Sequence, residues 1–293
     1  MEHRFSLEKY TSSKSRHICP NCEVITKTFV YYIDNETGEY LANNVGRCNR
    51  ESKCGYHFTP KQFFSDNGAL EEFDHLVASY TPPIPKPISF IDFKFVLESM
   101  TSYKNNHFVQ FLNRNYNHTS VKKVLEKYCV GTSDKYGGAV IFWLIDAQNR
   151  VRNGKVMVYD PYTGKRSKKQ FTSAPKLLSL NDFNSESCFF GEHLLSNNNK
   201  PIAIVESEKT AIIASLYFDK YIWLASSGKS NLTPRKCKIL NNRRVFLFPD
   251  SDGYNLWESK AKQFGFCIWD DLKDKEAGYD LADCIIEKIN NRK

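Results

Sequence analysis

Two apolar runs that each end in acid constrain this chain more than any other feature of its 293 residues. Ile202 to Val205 is a short unbroken run that stops at Glu206. Val245 to Phe248 is another, followed by Pro249, Asp250, Ser251 and Asp252. Such runs, bounded by turn residues, are the pattern of strands buried on both faces of a parallel sheet. In open α/β sheets, ligands gather at the carboxyl ends of these strands. Glu206, Asp250 and Asp252 are therefore expected to converge at one edge of one sheet. Carboxylates brought together repel one another unless a cation sits among them. All-oxygen ligands suit a hard ion, Mg²⁺ or Mn²⁺. The competing reading is that acids just past strand ends cap helices or sit in solvated loops, and that Asp252 before Gly253 is turn chemistry.

Around these runs strands and helices alternate. A helix opens at Glu208 and Lys209, and a strand over Tyr221 to Ser226 leads into a loop with Gly228. After Asp250-x-Asp252 come a helix (Asn255 to Gly265), a strand (Phe266 to Trp269) and the run YDLADCI with Asp280 and Asp283. Repeated strand–helix units with short loops build a right-handed, doubly wound, mostly parallel sheet. The pair VESEKTA and FPDSDG, in this order, resembles the topoisomerase–primase (toprim) fold over roughly residues 200–290. The resemblance implies that Glu206, Asp250 and Asp252 are catalytic and hold magnesium or manganese. YDLADCI looks like the third acidic motif of primase-type members, which would add Asp280 and Asp283 to the metal set. Read from the residues alone, Asp280 equally caps the last helix, because apolar residues at helical spacing follow it. Glu208 reads as an exposed first-turn acid favoured by the helix dipole.

The N-terminal part carries its own signature. HICPNC supplies Cys19 and Cys22, and RCNRESKC supplies Cys48 and Cys54. Four thiols at this spacing predict a tetrahedral Zn²⁺ site. Between the pairs, TFVYYID and EYLANNVGR flank a turn containing Gly38, a hairpin pattern. Two cysteine pairs joined by a hairpin make a zinc ribbon, in which the metal contributes folding free energy that so small a core lacks. His57, three residues after Cys54, competes as fourth ligand, but four cysteines are the simpler set. Phe29, Tyr31, Tyr32 and Tyr40, beside Arg47, Arg50 and Lys53, offer stacking and charge for single-stranded bases. Strand alternation must send half of these aromatics into the core. This module resembles the zinc-ribbon region of primase-like proteins of bacterial mobile elements, which carry a toprim domain downstream. Replicative primases show the same order.

The run SYTPPIPKP reads as a semi-rigid linker. The expected organisation is a zinc-ribbon domain over 1–78, a linker over 79–88, a basic α/β subdomain over 89–195 and a toprim domain over 196–293. The net charge of +8 is concentrated: Thr101 to Gln170 holds thirteen Lys or Arg against four Asp or Glu, 13 − 4 = +9, leaving −1 for the rest. The segment NGKVMVYDPYTGKRSKKQF alternates and ends in a basic cluster, Lys165, Arg166, Lys168 and Lys169, which are candidates to track a phosphate backbone, or simply a solvated basic loop. Cys129, Cys188, Cys237, Cys267 and Cys284 read as small buried residues.

No apolar run reaches transmembrane length, and the charged N-terminus lacks a signal-peptide core. The expected location is the cytoplasm, with no membrane partner. The resemblances imply a primase-like nucleotidyltransferase acting in DNA replication. It would take single-stranded DNA and nucleotides, and a helicase or other replication protein as partner. A toprim nuclease or nickase and a non-catalytic DNA-binding factor are the alternatives.

Overall fold

In the computed structural model of the chain, residues 3–23, 25–50, 53–81, 86–196 and 198–290 are described; the centre of the proline-rich linker, 82–85, lies outside them. The chain divides into two units, 1–85 and 86–293.

The first unit is built on four short antiparallel strands in the order β1 (Phe5–Leu7), β2 (Phe29–Asp34), β3 (Gly46–Cys48) and β4 (His57–Phe58). The hairpin predicted around Gly38 is present, with Gly38 at φ +80°. Alternation sorts the aromatics. Phe29 is fully buried and packs edge-on to Tyr31, while Tyr32 points the other way and stacks on His57. Helices α1 (Pro60–Asp66) and α2 (Leu70–Ser79) follow. Thr59 caps α1 with a reciprocal Gln62 contact. Phe64 and Phe73 of these helices pack on Phe5 of β1.

The second unit holds two sheets. Helices α3 (Lys94–Ser99), α4 (His107–Asn115) and α5 (His118–Lys127) precede an antiparallel sheet in the order β5 (Gly131–Ser133), β6 (Ala139–Ile145), β7 (Val151–Tyr159), β8 (Arg166–Ser173). Every residue of β6 is buried. Its alternate side chains therefore serve two cores: Val140, Phe142 and Leu144 face one, Ile141, Trp143 and Ile145 the other. A short helix α6 (Ala174–Leu177) closes the second of these.

Then come β9 (Ile202–Val205), α7 (Glu208–Tyr217), β10 (Ile222–Ala225), α8 (Pro234–Cys237), β11 (Val245–Leu247), α9 (Tyr254–Phe264), β12 (Cys267–Ile268) and α10 (Leu281–Asn290). The four strands form a wholly parallel sheet in the order β10-β9-β11-β12. The protein is thus a mixed α/β fold with an N-terminal ribbon and a parallel sheet downstream.

Residues 89–195 and 196–293 share an apolar core. Ala203, Val205, Trp223 and Ala225 of the parallel sheet meet Phe142 of β6 and Phe108 and Leu112 of α4 there. The Tyr128 hydroxyl, buried in that core, donates to the Trp223 carbonyl at 2.9 Å, and its ring stacks on Phe190. Phe190 itself bridges to Ala225, so the segment before β9 extends the parallel sheet by one antiparallel contact. Of the five scattered cysteines, Cys188 and Cys237 are buried as expected, but Cys267 is exposed because two-residue β12 is an edge strand. No helix among the described residues is long and apolar enough to cross a membrane.

Replacing Tyr128 with Phe keeps the packing and strands a buried carbonyl. We expect Tyr128→Phe to lower the unfolding free energy by about 1–2 kcal/mol, read from the urea midpoint; an unchanged midpoint would show the bond contributes nothing.

Candidate functional site

Among the described residues, Cys19, Cys22, Cys48 and Cys54 are the one group of three or more potential metal ligands whose ligand atoms all lie within 4.8 Å of one another. The sulfurs of Cys19 and Cys54 are 3.8 Å apart. A tetrahedral Zn²⁺ with bonds of about 2.3 Å places its sulfurs roughly 3.8 Å apart, so the donor set fits zinc. Burial pushes the Cys19 thiol up to about 11, while the Asn21 side chain, donating at 3.5 Å, helps draw Cys54 down to about 6. His57 is outside the group; its Nε2 pairs with the Tyr32 hydroxyl at 2.9 Å. Arg50 turns toward the cysteines, its guanidinium 3.8 Å from the Cys22 sulfur, where it offsets thiolate charge. Arg47 lies in β3, paired through the backbone with His57 and Val30, and its charge reaches the Tyr32 hydroxyl.

The parallel sheet assembles the acidic site. Because β9 and β11 run side by side with Ile202 opposite Val245 and Ile204 opposite Leu247, the residues after them leave the sheet at one edge. Glu206 and Asp250 emerge there, and the Asp250 amide donates to Glu206 Oε1 at 3.3 Å. Asp280 joins them in lining a cleft of about 370 Å³. Gly253 leaves the space that the Glu206 carboxylate fills; a methyl group there would collide with it. Asp252 does not line this cleft. It is exposed and ion-paired to Lys229.

Asp280 caps the last helix, one of the two roles the sequence held open, and it also lines the cleft. Its Oδ1 accepts from the Asp283 amide at 2.9 Å, capping α10, and its Oδ2 accepts from the Thr210 hydroxyl at 2.8 Å beside the cleft. Asp283 answers by accepting from the Asp280 amide at 3.2 Å, so its carboxylate closes the cap.

Burial with like charges nearby disturbs these acids. Desolvation, then the neighbouring Asp252 and Asp280 charges, raises Glu206 to about 7 against the pull of the Asp250 amide and Lys229. Desolvation, then Glu206, Asp280 and Asp252, raises Asp250 to about 8. Desolvation and Asp280 also raise Asp283. Glu206 is buried and Asp250 and Asp283 are half-buried, with like charges close by, the condition that a divalent cation relieves.

The facing wall is cationic. Lys155 and Tyr159 of β7 and Arg166 of β8 line the same cleft. Arg166 and Lys168 continue into an adjoining hollow with Phe171, and Lys165 into another with His107. Lys169 lines none of the three. The basic cluster is an edge strand from Arg166 onward, not the solvated loop that the sequence left as the alternative.

Sequence reasoning missed Lys155, Ser227 and Lys229, and misplaced Glu208. Glu208 is buried, not solvated: its Oε1 takes Lys155 Nζ at 2.9 Å and the Ser227 hydroxyl at 2.5 Å. An isolated lysine between apolar residues in GKVMVY is the signal that could have marked Lys155. No local pattern marks Ser227 or Lys229.

Comparison with known proteins gives two family matches. Residues 3–69 match the zinc beta-ribbon finger family, and residues 106–251, just under half of the chain, match a domain of unknown function (DUF6371). With the four-cysteine cluster, the first match assigns a structural zinc ribbon to the N-terminal unit. No curated protein matches. Among solved structures, the chain is similar to the primase fragment of the bacteriophage T7 primase-helicase protein (TM-score 0.44, 16% identity, covering 94% of this chain and 96% of that one). It is similar to the E. coli primase catalytic core (0.45, 14%, 67% and 74%). It is also similar to the zinc-binding and RNA polymerase domains of Aquifex aeolicus primase (0.39, 15%, 98% and 80%).

Two predictions follow from the charges and thiols. Stripping zinc with a chelator is expected to make residues 1–85 protease-sensitive while 86–293 resists, read by limited proteolysis and mass spectrometry; a ribbon that stays resistant would contradict a structural role for the metal. The raised carboxyls have a definite sign. Stability they contribute is full below the unfolded carboxyl range, about pH 4, and is lost as pH rises through about 7 to 8. Without added divalent cation, Asp250→Asn should therefore melt higher than wild type at pH 8 and show little difference at pH 4. Parallel melting curves across that range would refute the burial argument.

Proposed function

We propose that this chain is a primase-like nucleotidyltransferase whose residues 196–293 form a toprim domain. Residues 1–78 would be its zinc-ribbon domain, 79–88 the linker and 89–195 the basic subdomain. One observation carries the reading: Glu206 and Asp250 leave a parallel sheet at its carboxyl edge and meet Asp280, at the start of α10, in a cleft that Arg166 and Lys155 also line. Acids alone would suit many cations. Acids facing fixed cations suit a phosphate-bearing substrate held between the two.

In this reading Glu206, Asp250 and Asp252 hold Mg²⁺ or Mn²⁺, with Asp280 and Asp283 beside them. Their oxygens fit a hard cation, which would displace the protons that desolvation favours on Glu206 and Asp250. When bound, the cation would lower the pKa of an attacking 3′-hydroxyl and stabilise charge building on the transferred phosphoryl group. Arg166 holds nucleotide phosphates at the cleft wall, beside Lys155, which Glu208 and the Ser227 carbonyl keep in place. Lys165, Lys168 and Lys169 guide a single-stranded DNA template along the edge strand, with Phe171 as an exposed stacking surface. The zinc ribbon contributes template contacts through Tyr40, with Arg47 in β3 and Arg50 just after it. A helicase or another replication protein is the expected partner, in the cytoplasm.

The test supplies single-stranded DNA of mixed sequence, nucleoside triphosphates and Mg²⁺ to the full chain, with and without a replicative helicase. Template-dependent oligonucleotides are expected from wild type, and at least about a hundredfold less from Asp250→Ala, since loss of an electrostatic stabiliser costs that much. No product from wild type would overturn the reading, and Mg²⁺-dependent nicking of supercoiled plasmid in its place would assign the cleft to a nuclease.

A further inference from the structure

The loop after β10 puts a cation of the protein's own among the acids. Lys229 pairs its ammonium with Asp252, and the charges of Glu206 and Asp250 also act on it. Its backbone is anchored. The buried indole of Trp257, from the helix that follows Asp250-x-Asp252, donates to the Lys229 carbonyl at 2.9 Å. The Gly228 amide donates to the Glu206 carbonyl at 3.0 Å, with Gly228 at φ +133°. Asn231 closes the loop by donating to the Ser227 carbonyl at 2.9 Å. The main chain at Lys229 is therefore tied both to the strand that bears Glu206 and to the helix behind Asp252. Only its side chain is free to change place.

Other cations stand near the acids without pairing with Asp252, and Arg166 of β8 lines the cleft with Glu206 and Asp250. Lys155 is bound to Glu208 and to the Ser227 carbonyl. Lys209 acts on Asp250 and Asp283. Lys229 is the cation that meets Asp252.

We propose that Lys229 is a positioning residue that occupies the Asp252 carboxylate as a built-in counter-ion and swings away when a divalent cation enters. This rests on the reading of Glu206, Asp250 and Asp252 as a metal site. Two unfavourable changes then accompany metal binding: the Lys229–Asp252 pair is broken, and a divalent charge approaches an ammonium. Both weaken the metal's apparent affinity, and both vanish when the side chain is neutral. In return, the metal-free protein keeps its acids partly balanced, and Asp252 is held out of the cleft until the metal arrives.

The experiment is calorimetric titration of the full-length, zinc-loaded chain with Mg²⁺ at low ionic strength. Magnesium does not compete for the thiolates, which prefer softer ions. Lys229→Met is expected to bind Mg²⁺ about three- to tenfold more tightly than wild type. The gap should narrow as salt is raised, because the pair is exposed. Lys229→Arg, which keeps the charge, should bind like wild type. Without divalent cation Lys229→Met should melt below wild type, and Mg²⁺ should close that difference. Lys229→Gln repeats the test should Lys229→Met fold poorly. If wild type binds Mg²⁺ and Asp252→Asn weakens it, yet neither neutral variant binds more tightly, the counter-ion role is overturned while the metal site stands. If wild type binds no Mg²⁺ at all, the metal site falls and this role with it.

Discussion

The parallel pairing of β9 and β11 is the constraint on which the rest depends. Parallel neighbours end on the same side, so two acids separated by more than forty residues in the chain become neighbours across a sheet edge. Had the strands been antiparallel, Glu206 and Asp250 would lie at opposite ends of the sheet. The pairing also explains the packing. β9 is buried on both faces and β11 all but Phe246, so both are apolar throughout, and polar chemistry is pushed to the ends. Carboxylates at those ends are half-withdrawn from water by the same packing that fixes their position, which is why Glu206 and Asp250 hold their protons so tightly.

The second sheet contributes by being buried as well. Because β6 is covered on both sides, its neighbour β7 is held firmly, and β7 carries Lys155 to the acidic edge. The Lys155–Glu208–Ser227 contact then joins three elements: β7, the start of α7 and the loop after β10. A cationic wall and an acidic wall are thus locked at a set separation by a buried ion pair. Removing one partner of such a pair costs more than the pair itself contributes, since it leaves a charge without compensation. The N-terminal unit solves a different problem. Its buried apolar residues are few, and four thiols in reach of one metal take the place of a larger core.

How much of this was legible beforehand follows from how local each cause is. Strand ends, cysteine spacing and the Gly38 turn are written in short windows, and β9 was read with the boundaries it has. The meeting of Glu206 with Asp250 was legible because strand direction alone decides it. Lys155, Ser227 and Lys229 were not, because their placement depends on how one sheet docks against another. Glu208 was misread for the same reason: first-turn acids normally face water, and only the docking of β7 gives this one a buried partner. The basic run at 165–169 was left open to a loop reading because strand edges tolerate lysines that local pattern assigns to solvent. Asp280 was held between cap and site, and the fold shows the cap through one oxygen while the other accepts from Thr210 beside the cleft.

The most direct test of the central claim is the location of a divalent ion by anomalous scattering from a crystal soaked in Mn²⁺. The account predicts a peak at the carboxyl edge of the parallel sheet, bound by oxygens of Glu206 and Asp250. No peak there in a crystal that takes up Mn²⁺ elsewhere, or a Glu206 side chain turned away from Asp250, would contradict it.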